Sequence, residues 1–178
     1  MDYGKDCDHS QCTNPNASVC QTISEMDWER GLWYAAFYGD HQRVGDLIIK
    51  ARNAKELVNT PDNAGYTPLH YAARKGYTDI CKLLLQNGAQ IDAQTKSGQA
   101  SPLHKAAVAG KIETIQFLIQ SGAQINKQDA DGQTILHKAA INKHLDLFNY
   151  LLETYNELAI VKDNKGHTAT DCMSNKNN

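Results

Sequence analysis

The sequence predicts an all-α fold, a solenoid of helix-turn-helix units joined by β-turns or short hairpins, and three observations carry that prediction. One block returns almost intact: Gly65-Tyr66-Thr67-Pro68-Leu69-His70-Tyr71-Ala72-Ala73 recurs as Gly132-Gln133-Thr134-Ile135-Leu136-His137-Lys138-Ala139-Ala140. Between them stands Ser101-Pro102-Leu103-His104-Lys105-Ala106-Ala107, preceded by Gly98 with one extra residue in the turn. The glycines at 65, 98, 132 and 166 lie 33, 34 and 34 residues apart, a period that belongs to stacked repeat arrays. A second apolar block follows the first two copies, Ile80-Cys81-Lys82-Leu83-Leu84-Leu85 closing at Gly88 and Ile115-Gln116-Phe117-Leu118-Ile119 closing at Gly122.

The elements follow in order. The arm over residues 1–23 carries three cysteines and is expected to be flexible. Ser24-Glu25-Met26-Asp27-Trp28-Glu29 has a capping serine and acidic residues suited to a helix start, so the repeat domain is placed at 24–173. In the first unit Leu32-Trp33-Tyr34-Ala35-Ala36 sets Trp33 where later units have His, and an outer helix holds Val44, Leu47 and Ile48. The stretch before the second unit is a few residues longer than elsewhere.

In the second to fourth units Thr67, Ser101 and Thr134 stand as N-caps. Pro68 and Pro102 occupy the first helical position, where a missing N–H costs nothing. Paired alanines let neighbouring inner helices approach closely. The fourth unit departs from the pattern, with Lys143 in place of a turn glycine and Tyr155 or Asn156 in place of the closing one, so a strained or reshaped turn is expected. After Gly166 a polar half-unit with Thr170 and Asp171 closes the array, and residues 174–178 form a tail expected to be disordered. One helix pair cannot bury its own stripe, so the units must stack.

These residues resemble the ankyrin-repeat family, a β-turn and two helices with a Thr-Pro-Leu-His-x-Ala signature, over roughly residues 29–173. The resemblance implies that His70, His104 and His137 brace one unit against the next. It also implies a non-catalytic adaptor or scaffold that binds a protein partner through a concave face. The variable positions on that face mark Phe37, Tyr38, Tyr66, Tyr71, Arg74, Lys75, Lys105 and Lys138 as candidate contacts, with Gln99 at the third turn. Their mixture of aromatic and basic side chains is typical of binding hot spots and matches a partner of some acidic character.

Composition excludes several other functions. The formal net charge is −2, which gives no general attraction to nucleic acid. No run approaches the ~20 apolar residues of a membrane span, and no hydrophobic stretch follows Met1. Five cysteines without an export signal indicate reduced thiols, and the protein is expected to be monomeric and intracellular, in the cytoplasm or nucleus. Cys81 and Cys172 read as packing residues. No nucleophile elbow, phosphate loop or zinc-protease motif occurs, so no catalytic residues are assigned.

The arm leaves one alternative open. Cys7, His9, Cys12 and Cys20 are four residues of the types zinc takes, which would make the chain a zinc-dependent interaction module, although the paired C-x-x-C knuckles are missing. Otherwise no cofactor is expected.

Overall fold

A computed structural model describes residues 31–174 of the chain. Within them the inner helices are α1 (Leu32–Tyr38), α4 (Pro68–Lys75), α6 (Pro102–Val108), α8 (Ile135–Ile141) and α10 (Ala169–Ser174). The outer helices are α2 (His41–Lys50), α5 (Thr78–Gln86), α7 (Ile112–Gln120) and α9 (Leu145–Thr154). Each of α1, α4, α6 and α8 packs on its own outer partner and on the next inner helix, so the stack is one-dimensional. Paired alanines make that spacing possible: Ala35, Ala36, Ala72, Ala73, Ala106, Ala107 and Ala139 are all fully buried.

The expected caps are present. Thr67, Ser101 and Thr134 each form a capping box with the histidine three residues on. In each box histidine Nδ1 accepts from the cap backbone N–H, at 3.0 Å for His70 and 3.3 Å for His104 and His137. The proton must then sit on Nε2, which donates across the unit boundary to the carbonyls of Ala100, Gln133 and His167 at 3.0, 3.0 and 3.2 Å. The imidazoles are therefore scaffold pins. Burial holds His70 down to about 4 and lowers His104 as well, which keeps both neutral in that role.

The first unit does the same work differently. Trp33 occupies the histidine position, and its Nε1–H donates to Thr60 O at 2.8 Å. The longer stretch after α2 is not a plain loop: it forms α3 (Ala54–Asn59), capped by Asn53 accepting from Glu56 N, and buries Val58 completely. The indole spans a distance to this insert that an imidazole would not.

The fourth unit shows the reshaped ending. Lys143 takes φ +59°, the left-handed conformation that Gly39, Gly76 and Gly110 supply in the earlier units. In place of a closing glycine, Tyr155 leads into a single 3₁₀ turn, Asn156–Ile160. In the half-unit Asp171 replaces histidine, and its carboxylate accepts from the Thr168 backbone N–H and hydroxyl at 2.8 and 2.7 Å. With no later turn in the described residues to reach, the Nε2 donor is dispensable there. Cys81 is fully buried, its thiol pushed up to about 12 by burial, and Cys172 packs against the core.

The third turn carries the extra residue that its sequence indicates. Asp62, Asp129 and Asp163 each pair with the residue four positions on, whereas Thr95 pairs with Ala100, five positions on. The residue in left-handed conformation is Gln99, at φ +46°, and not Gly98. Ala100, which is 5% exposed, therefore holds the register of Tyr66 and Gln133, and Gln99 is the inserted residue.

Candidate protein-binding face

The turns and inner helices of the first two units bring most of the candidate residues together. Successive rings meet from Tyr34 to Tyr38 (centroids 4.4 Å apart), Tyr38 to Phe37 (5.0 Å), Phe37 to Tyr71 (6.0 Å) and Tyr71 to Tyr66 (5.5 Å, stacked). Cations line the same row. Lys75 Nζ lies 4.0 Å from the Phe37 centroid, Arg43 lies 5.5 Å from that of Tyr34, and Lys105 Nζ lies 4.6 Å from that of Tyr66. Tyr38 is 60% exposed, and Arg74 and Lys75 are also exposed. Phe37, Tyr66 and Tyr71 are half-buried, so they offer edges rather than whole faces.

Turn chemistry decides which charges remain available. Asp62 Oδ1 accepts from the backbone N–H groups of Ala64 and Tyr66 at 2.9 and 2.8 Å, and Oδ2 accepts from the Tyr71 hydroxyl. Burial first, and then that bond, hold the Tyr71 phenol in its protonated form far above its ordinary range. Asp129 occupies the same place in the fourth unit and binds Lys138 by an ion pair, while Lys138 also donates to Gln133 Oε1 at 2.8 Å. Burial works to raise the Asp129 pKa, but Lys138 and the turn N–H donors outweigh it and hold the carboxyl below its usual range. Lys138 is thus committed to its own turn and lies outside the aromatic row.

Lys105 has the same register as Lys138 but no carboxylate in its turn, because Thr95 stands in the aspartate position. It reaches back to the preceding unit instead and donates to the Tyr66 hydroxyl at 2.8 Å. One residue of the row, Tyr34, escaped the sequence reading. It holds the register of Tyr71 in Leu32-Trp33-Tyr34-Ala35-Ala36, which was the available signal. The zinc candidates Cys7, His9, Cys12 and Cys20, the cap at Ser24 and the tail from 175 lie outside the described residues. Among the described residues no cluster of metal-ligating side chains occurs, and no helix is long and apolar enough to cross a membrane.

Stacked helix pairs with capping-box histidines and paired alanines define a repeat protein of the ankyrin class. Comparison with known families agrees: a model for ankyrin repeats matches at residues 12–95, 32–129 and 103–173, and the chain belongs to that family. Among individual proteins it is similar to ankyrin repeat domain-containing protein 39 of Homo sapiens, at 51% identity over 86 residues, 47% of this chain and 45% of the relative. The protein of the same name from Bos taurus is 52% identical over 68 residues, 37% of this chain and 35% of the relative. RelA-associated inhibitor of Mus musculus is 50% identical over 90 residues, 47% of this chain but 11% of the relative. The match thus spans less than half the length of each of these relatives.

Proposed function

We propose that the protein is a non-catalytic adaptor that binds a protein partner through the concave edge of its first two units. The observation that supports this is the continuous row of rings from Tyr34 to Tyr66 with Arg74 and Lys75 exposed beside it. The histidine pins, the alanine pairs and the leucine core carry unit-to-unit cohesion together with the buried edges of Phe37, Tyr66 and Tyr71, so the exposed Tyr38, Arg74 and Lys75 are left for another task. An exposed tyrosine continuous with half-buried aromatic edges, and with arginine at its margin, has the composition of an interface centre. The adaptor acts as a monomer inside the cell, where free thiols such as the buried Cys81 persist.

The test is affinity capture with Tyr38→Ala combined with Arg74→Ala, two exposed side chains on neighbouring units. Loss of one specific partner, with a melting temperature within about 2 °C of the parent, supports the reading, because surface truncations cost under ~0.5 kcal/mol. An unchanged partner set, or a large fall in melting temperature, overturns it. Tyr66 is a poorer choice for truncation, since it also holds Lys105 and stacks on Tyr71.

A further inference from the structure

Stacking places residues of equal register side by side, and one rung of that ladder changes its chemistry from unit to unit. The C-terminal positions of α1, α4 and α6, together with the residue just after α6, are Phe37-Tyr38, Arg74-Lys75 and Val108-Ala109; Tyr38, Arg74 and Lys75 are exposed and the other three half-buried. Along the stack the face therefore reads aromatic, basic, aliphatic. Packed helix axes lie about 8–10 Å apart, which fixes the distance between rungs. A chain crossing the helices must present a side chain to the face at that interval. A β-strand does not do so, because residues three apart point to opposite sides. A polyproline II helix does: three residues per turn at about 3.1 Å each return a side chain to the same side every ~9 Å.

We infer, resting on the adaptor reading, that the partner segment is a polyproline II stretch with an apolar residue, an acidic residue three positions on, and a second apolar residue three positions further. The first apolar side chain meets Phe37 and Tyr38, the carboxylate meets Arg74 and Lys75, and the second apolar side chain meets Val108 and Ala109. The central residue is acidic because the carboxylates of Asp62 and Asp129, which belong to turns of this face, are already occupied by their own N–H donors, Tyr71 and Lys138. The first outer residue is apolar because it meets the edges of Phe37 and Tyr38, where Lys75 already sits over the Phe37 ring and repels a cation, and the second because Val108 and Ala109 offer only aliphatic surface. Aromatic-lined grooves are a recurrent seat for this preformed, low-entropy conformation.

The test uses the full chain and labelled synthetic peptides in fluorescence anisotropy. The probe is Leu-Pro-Pro-Glu-Pro-Pro-Leu. The controls are Leu-Pro-Pro-Lys-Pro-Pro-Leu and the register-shifted Leu-Pro-Glu-Pro-Pro-Pro-Leu. The expected result is binding of the probe, weakened about tenfold or more by either control, with the preference between Glu and Lys reversed in a folded Arg74→Glu/Lys75→Glu variant. Equal binding of all three peptides overturns the inference, and so does a preference that fails to reverse. If no peptide binds while partner capture remains sensitive to Arg74, the motif is wrong and the adaptor reading stands. If the probe binds only after Asp2, Asp6 and Asp8 are changed to Asn, the chain's own acidic segment is the occupant, and the assignment to a partner is overturned.

Discussion

A buried imidazole that must stay neutral makes the whole scaffold sensitive to acid. His70 accepts a backbone N–H on Nδ1, so a second proton breaks the capping box as well as charging a buried ring. Its folded pKa, about 4, lies below the unfolded value near 6.5, so the folded state binds fewer protons and stability is lost as pH falls from about 6.5 towards 4. From that gap His70 alone is expected to remove roughly 2 kcal/mol between pH 7 and pH 5, with His104 adding to the loss, as read by urea titration. A flat stability over that range would show that the ring titrates normally. A second residue-scale expectation contrasts two turns of like geometry. Gly110 has φ +65°, and a Cβ there would lie 2.7 Å from His144 Nδ1. Lys143 has φ +59°, and among the described residues no further unit's outer helix follows α9 to meet its Cβ, so only the backbone strain applies. Gly110→Ala should therefore cost about 2 kcal/mol or more, while Lys143→Gly should stabilise by about 0.5–1 kcal/mol.

At the scale of elements, periodicity made the inner and outer helices legible, because each long apolar stripe and each Thr/Ser cap returns in register. Helix α3 was not legible in that way. Its six residues are too few to show a period, and its only signal was Asn53 followed three positions later by Glu56 among good helix formers. The same limit applied to the site. Register brought Phe37, Tyr38, Tyr66 and Tyr71 into one row, but it missed Tyr34 and did not give the choice of partner by each lysine. That choice turns on Asp129 being present for Lys138 and on Thr95 replacing the corresponding aspartate for Lys105. Trp33 ties α1 to the turn following α3 through Thr60, so Trp33→Phe, which keeps the ring and removes the donor, is expected to cost about 1 kcal/mol in thermal or chemical melts. No loss would mean that the hydrogen bond contributes nothing net and that ring packing alone holds the insert.

For the whole molecule, contacts confined to neighbours make cooperativity a property of the seams. Leu103 is fully buried on α6, the helix of the third unit that packs against α4 of the second, and its truncation to Ala should cost about 2–5 kcal/mol. Both tryptophans, at positions 28 and 33, precede the second unit in sequence, whereas helices run to the end of the described region. In Leu103→Ala the fluorescence and far-UV circular dichroism midpoints in urea are expected to separate, although they coincide in the parent. Coincident midpoints in the variant would show that cohesion does not run through that seam. The Lys143 turn bears on the length of the array itself. At Gly39, Gly76 and Gly110 a ring or aliphatic stem from the next unit's loop, that of Tyr77, Lys111 or His144, lies within 3 Å of where a Cβ would be. By the same geometry, the Cβ of a lysine at the fourth such position would meet the corresponding residue of a fifth outer helix. Duplicating a unit at this end is therefore expected to need glycine in place of Lys143 before the added outer helix can seat.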